Sequence, residues 1–183
     1  TTDPLRERHA HYALIELSSA AASVRLDEQM QSLLEQGMAR GWVLDGAVAQ
    51  SEDQRARLWR LRESVPEAQR REGGSFKHDV SVPPECLPAF LERGLAAAAA
   101  VAPDARPCAY GHVGDGNLHF NFLAPAGQSL EGYFATRGDA VAEAGLGLAD
   151  EFGGSVCAEH GVGQLKLALM ARHADPVGLE LMR

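Results

Sequence analysis

The stretch Tyr110-Gly111-His112-Val113-Gly114-Asp115-Gly116-Asn117-Leu118-His119-Phe120-Asn121 decides how this chain is read. Asp-Gly is the favoured pair for a two-residue hairpin turn, because both central positions need positive φ and these residues tolerate it. Centring the turn on Asp115-Gly116 pairs Gly114 with Asn117, Val113 with Leu118 and His112 with His119. Directly opposed residues share a face, with Cβ atoms roughly 5 Å apart. The same register sets Asn121 opposite Tyr110, since side chains alternate along a strand with period two. Two imidazoles and a carboxamide then lie on one face, which is the start of a divalent-metal site. A plain glycine-rich hairpin carrying structural histidines is the competing reading, and this segment alone does not separate them.

A second segment favours the site. Gly153-Gly154-Ser155-Val156-Cys157-Ala158-Glu159-His160-Gly161-Val162-Gly163 reads as a short apolar strand emptying into a glycine-flanked acid-imidazole pair. Glu159 is a candidate anionic third ligand beside His112 and His119. Two neutral imidazoles and one carboxylate leave positions open on an ion, as in catalytic rather than closed structural sites. His160 is then free to act as a base. Glycines on both sides allow a backbone or ligand to approach closely.

Composition sets the limits. With 183 residues, 45% of them hydrophobic and 23% charged, the chain has the make-up of one ordinary globular domain with a sizeable core. A formal net charge of −8 argues against a nucleic-acid partner, which needs a basic footprint. Cys86, Cys108 and Cys157 lack ligand-like spacing and read as reduced core residues of a cytoplasmic-type compartment. No run is long and apolar enough to span a bilayer, and Thr1-Thr2-Asp3-Pro4 opens no signal peptide. The abrupt start and uncapped end read as those of an excised domain.

Along the chain, Tyr12–Leu17 reads as a buried strand, 19–39 as a helix stopped by Gly41, and Trp42–Ala49 as a second strand. Ser51 caps a helix with Glu52 and Asp53 in its first turn, and Pro66 disturbs it. Residues 75–82 alternate as a strand, 85–102 form an Ala-rich helix, and 130–152 form a long one. Helical pieces run from Gln164 onward. Strands alternating with helices around one hairpin predict an α+β fold, a mostly antiparallel sheet with helices on one face.

Of seventeen basic residues two are lysines, Lys77 and Lys166. Lys77 stands mid-strand and Arg62 on the preceding helix. An Arg and a Lys on neighbouring elements can fix a carboxylate, the first by its planar fork and the second as a point charge. The alternative is an Arg62 paired with a helix acid and a Lys77 that merely extends to solvent.

Together, His112-Val113-Gly114-Asp115-Gly116-Asn117-Leu118-His119-Phe120-Asn121 and Ala158-Glu159-His160-Gly161-Val162-Gly163 resemble the C-terminal substrate domain of FAD-linked D-2-hydroxyacid dehydrogenases. Trp59, Arg62-Glu63 and Phe76-Lys77-His78-Asp79-Val80-Ser81-Val82-Pro83 match in order, so the resemblance covers nearly all of residues 1–183. Those dehydrogenases are part of the vanillyl-alcohol-oxidase flavoprotein superfamily, and the resemblance implies a ferredoxin-like sheet. It further implies that His112, His119 and Glu159 bind a divalent ion, commonly zinc, and that Arg62, Lys77 and Asn121 bind substrate. His160 would be the general base, while Lys166 matches a family lysine without an assigned role.

FAD would be held mainly by an amino-terminal domain, so these residues alone are expected neither to retain FAD nor to turn over substrate. The implied partners are a small 2-hydroxyacid, the FAD domain and an electron acceptor, with a homodimer left open. The implied location is cytoplasmic, at most peripheral to a membrane through the acceptor. Pro66 stands one helical turn after Arg62, where hydroxyglutarate-specific members tend to carry a hydroxyl residue; lactate, glycolate, malate and 2-hydroxyglutarate types all stay open. His78 replaces a frequent Tyr. The competing classes are a stand-alone metal-dependent hydrolase and a non-catalytic ferredoxin-like module that binds a small acid.

Overall fold

The computed structural model describes residues 3–164 and 167–182, and by compactness the chain divides into two units, Thr1–Glu67 and Ala68–Arg183. Each unit is built differently. The first carries helices α1 (Leu26–Ala39) and α2 (Glu52–Glu63). Helix α1 ends as expected, with Gly41 at φ +73° just beyond it, the left-handed position that glycine fills without a Cβ clash. The Ser51 hydroxyl accepts the Gln54 amide at 3.3 Å and starts α2. Helix α3 (Val65–Arg71) follows after a break at Ser64, with Pro66 in its first turn, where its missing N–H has no partner to lose.

The expected strands at Tyr12–Leu17 and Trp42–Ala49 do not form. Strand-like sequence needs a neighbour to take its backbone hydrogen bonds, and among the described residues of this unit no segment offers a ladder.

The second unit holds a three-stranded antiparallel sheet in the order β1–β3–β2. Its strands are β1 (Asp79–Ser81), β2 (Arg106–His112) and β3 (Asn117–Leu123). A short 3-10 turn leads into α4 (Leu87–Val101) between β1 and β2. After β3 come α5 (Leu130–Phe134) and α6 (Gly138–Glu151), then α7 (Leu167–His173) and α8 (Pro176–Leu181). The expected single helix over 130–152 is thus interrupted at 135–137.

Ser155 exchanges main-chain hydrogen bonds with Ser81 at 2.8 and 2.9 Å, on the edge of β1 away from β3. A β-α-β-β-α unit followed by this bridge is the ferredoxin-like connection, with the last strand contracted to a single pair. The molecule is therefore α+β, with helices packed on one face of a mostly antiparallel sheet.

Alternation sorts the sheet into two faces. Val80, Leu118, Phe120 and Phe122 join Phe90 of α4 and Val141, Leu146 and Ala149 of α6 in the core. Phe120 is fully buried and meets Phe90 edge-on, with ring centroids 5.3 Å apart. Gly94 of α4 and Gly145 of α6 leave room for its ring: a Cβ at either would lie 3.0–3.2 Å from it. The opposite face carries Asp79, Asn117, His119 and Asn121, and these polar residues are buried too.

Candidate functional site

The hairpin is present, but its register differs from the expected one by two residues. His112 pairs with Asn117, Tyr110 with His119 and Cys108 with Asn121. Four residues, Val113 to Gly116, make the turn instead of two. Asp115 accepts the Asn117 amide through Oδ1 at 3.0 Å, and Gly116 takes a left-handed conformation at φ +71°. The Val82 amide donates to the Gly116 carbonyl at 3.1 Å, so the loop is held by β1's continuation as well as by its own chemistry.

A shift of one residue would have turned every side chain to the other face; a shift of two keeps them. His112, His119 and Asn121 remain on one face, with His112 and His119 now diagonal neighbours, roughly 7 Å apart in sheets generally. His112 is exposed at the end of β2.

Rungs across the sheet order this polar face. Asp79, His119 and Tyr110 form one rung, and Ser81, Asn117 and His112 the next. Continuing the same register through the Phe76–Phe122 bridge places Lys77 opposite Asn121. Lys77 is exposed. Asn121 is 3% exposed and uses both ends of its amide: Oδ1 accepts the His78 amide at 3.1 Å, and Nδ2 donates to Gln69 Oε1 at 3.2 Å. His78, the expected Tyr position, donates from Nδ1 to the Phe120 carbonyl at 2.9 Å. Arg62 lies half-buried on α2, in the first unit. Lys166 lies outside the described residues.

The Glu159-His160 pair arrives from the far edge of β1. After the Ser81–Ser155 bridge, the Ala158 amide donates to the Asp79 carbonyl at 3.3 Å. Gly154 permits this approach, since a Cβ there would stand 2.0 Å from the Ser81 carbonyl oxygen. The amides of Glu159 and His160 then both donate to Asp79 Oδ2 at 2.9 Å.

Among the described residues, Asp79, His119, Glu159 and His160 can offer ligand atoms that all lie within 4.8 Å of one another. His119 Nε2 stands 3.0 Å from Glu159 Oε1, and His160 Nε2 stands 3.8 Å from the same oxygen. The two imidazoles stack with centroids 5.2 Å apart and planes 18° from parallel. His119 also packs against Tyr110 at 4.8 Å. The structure thus brings His119 and Glu159 together, with His160 beside them. His112 is not in that group.

Asp79 is the residue that sequence reasoning passed over. It is 2% exposed. Burial pushes its carboxyl pKa up, but the His160 and Glu159 amides, the Asn117 amide and the attraction of His160 together hold it below its usual value. An acid in the strand Asp79-Val80-Ser81-Val82, on the face opposite two core valines, was the available signal. The donor set of two imidazoles and carboxylate oxygen suits a borderline divalent ion of the zinc type.

This combination defines a ferredoxin-like domain carrying an imidazole-carboxylate cluster along one sheet edge. The chain belongs to the family of the C-terminal domain of FAD linked oxidases, whose model matches residues 1–183. It is 37% identical over 178 residues to a D-2-hydroxyglutarate dehydrogenase of Xanthomonas citri pv. viticola, covering 96% of this chain and 37% of that protein. The protein of the same name from Stutzerimonas stutzeri is 36% identical, over 94% of this chain and 36% of its own length. The mitochondrial one of Rattus norvegicus is 35% identical, over 100% of this chain and 32% of its own length. The chain thus spans about a third of these relatives' length. No described helix is long and apolar enough to cross a membrane.

Proposed function

We propose that residues 1–183 are the substrate- and metal-binding domain of an FAD-dependent dehydrogenase that oxidises a D-2-hydroxyacid to its 2-oxoacid. D-2-hydroxyglutarate is the first acid to test, because it stands in the names of the relatives at 35–37% identity. The observation that carries the reading is the convergence of His119, Glu159 and His160 in a chain of this family.

In this reading His119 and Glu159 hold a divalent ion with His112 as third ligand, and His160 stays free as the base. When bound, the ion acts as a Lewis acid on the substrate oxygen and FAD accepts the hydride. His160, half-exposed beside the ligands, takes the hydroxyl proton on Nε2 as the C–O bond becomes C=O. The α-hydrogen departs with its electron pair, so the two electrons and the one proton are accounted for. Lys77 supplies an ammonium for a substrate carboxylate from the same face of the sheet as His119, and Asn121 forms the buried floor of that face. Arg62 is given a carboxylate-binding role on the family resemblance alone.

A second reading exchanges one ligand. The structure groups His160, rather than His112, with His119 and Glu159. His160 would then be the third ligand and the base would lie elsewhere.

Metal analysis and turnover of the full-length protein test both readings, with D-2-hydroxyglutarate and an artificial electron acceptor. His119→Ala and Glu159→Gln should each lower metal affinity at least tenfold and abolish turnover. His112→Ala losing metal while His160→Ala keeps it supports the first assignment; the reverse supports the second. A protein that binds no divalent metal, or whose metal survives both His119→Ala and Glu159→Gln, overturns the site and leaves a non-catalytic small-acid module. Hydrolysis of an ester or amide without flavin would replace the dehydrogenase reading with a metal-dependent hydrolase.

A further inference from the structure

Gln69 is the buried residue of α3, 4% exposed in a helix that also carries Glu67, Arg70 and Arg71. Its Oε1 accepts from Asn121 Nδ2 at 3.2 Å, while its Nε2 has no acceptor among the described residues. A buried donor left unpaired is costly, and an apolar side chain would fill the same space without that cost. What the amide contributes is its bond to Asn121.

That bond belongs to a break in the sheet. Phe76 and Phe122 exchange both main-chain hydrogen bonds, at 2.7 and 3.0 Å. In an antiparallel ladder the next pair to do so lies two residues on, His78 with Phe120. There the Phe120 amide donates to the His78 carbonyl at 2.8 Å, but side chains replace the return bond. The His78 amide donates to Asn121 Oδ1 at 3.1 Å, and His78 Nδ1 donates to the Phe120 carbonyl at 2.9 Å. This sequence of donors fixes both amides. A main-chain N–H can only donate, so Asn121 turns Oδ1 to His78; its Nδ2 then faces Gln69, which answers with Oε1. The captured N–H belongs to the peptide that joins Lys77 to His78, and Lys77 stands directly opposite Asn121. Opposed side chains of this kind lie roughly 5 Å apart at Cβ.

We propose that Gln69 is a positioning residue for acid binding: it locks the Asn121 amide against the Lys77–His78 peptide and so sets where the Lys77 ammonium meets a substrate carboxylate. The proposal rests on the carboxylate-binding role given to Lys77 above. With the acceptor at position 69 removed, the Asn121 amide is free to turn and the His78 amide loses its fixed partner. Lys77 then loses its register against His119 on the same face. Gln69 acts through Asn121 and touches no ligand. The competing account is that Gln69 only fills space.

The test uses full-length protein and two 2-oxoacids that bind without turning over, 2-oxoglutarate and pyruvate, keeping the tighter of the pair. Calorimetry should show Gln69→Leu weakening its binding about tenfold, whereas in a Lys77→Ala background the same change should alter affinity less than about twofold. Space filling predicts equal losses in both backgrounds. Hydrogen exchange reads the brace itself: the His78 amide should be protected in the wild type and exchange at least about tenfold faster in Gln69→Leu, with the Phe120 and Phe122 amides unchanged. Equal binding losses in the two backgrounds, or unchanged affinity in Gln69→Leu, overturns the proposal. A wild-type His78 amide that exchanges freely also overturns it, and that measurement needs no variant. Should Gln69→Leu fail to fold, Gln69→Met, of similar length and without the acceptor, takes its place. A wild type that binds neither 2-oxoacid overturns the acid-binding reading of Lys77 and the proposal with it, even where exchange shows the brace intact.

Discussion

The two units of this chain make opposite use of similar sequence. In the second, β3 is buried along its whole length, and Phe120 and Val80 have no exposed surface. In the first, Gly37 is the one buried residue among those described, while Trp42 and Leu44 are 73% and 80% exposed. Both units contain runs that alternate or cluster apolar residues, yet among the described residues strands form in one alone. A run such as Tyr12–Leu17 carries strand propensity, but propensity reports how a side chain packs on a pleated surface. Where no second strand lies alongside, there is no surface to pack on. Arg55 pairs with Glu16 at 2.7 Å, and Trp59 Nε1 donates to the same carboxylate.

The contrast can be broken most sharply at Phe120. Replacing it with Ala empties the space between α4 and α6 and should cost about 3–5 kcal/mol in chemical denaturation. A cost below about 1 kcal/mol would mean the sheet core does not carry the second unit's stability.

Gly116→Ala comes next. Its φ of +71° and a Cβ only 1.8 Å from the Val82 carbonyl oxygen leave no space for a methyl group. The dihedral alone should cost about 1–2 kcal/mol, and under the proposed metal-binding reading the shifted turn should lower metal affinity as well. Wild-type stability and metal content in this variant would show that the turn is not fixed by Val82.

In the first unit, Leu44→Ser should change stability by no more than about 0.5 kcal/mol, as expected for an exposed site. A large loss would reveal a packing partner for that segment.

The smallest effect is electrostatic. Hydrogen bonds from Arg55 and then Trp59, with the attraction of the Arg55 charge, hold the Glu16 carboxyl below its ordinary pKa against the opposing effect of desolvation. A lowered folded-state value means these contacts are present at and above the ordinary carboxylate range and are lost as pH falls through the folded-state value. In a variant with Trp59 as its sole tryptophan, emission should change with a midpoint below that of a free glutamate. A midpoint at the free value would remove the contact.

Much of the site was legible because its chemistry is local. Asp115 and Gly116 announce a turn, His112, His119 and Asn121 share a face by period two, and Glu159-His160 between glycines marks a close approach. The Ser51 cap of α2 is legible for the same reason. The hairpin register was not, because it is set partly by a hydrogen bond from Val82, thirty-four residues before Gly116. Asp79 was overlooked for a similar reason: its partners are His119 on the neighbouring strand and two amides from beyond the other sheet edge.

The amino-acid order by itself determined which groups are available and which face each one occupies, since turn chemistry and side-chain alternation act over a few residues. Tertiary structure alone decided which of them meet. A two-residue slip moved His112 from beside His119 to its diagonal, and a single bridge at Ser155 carried Glu159 and His160 onto Asp79. Those outcomes depend on hydrogen bonds between segments distant in sequence, and no local pattern contains them.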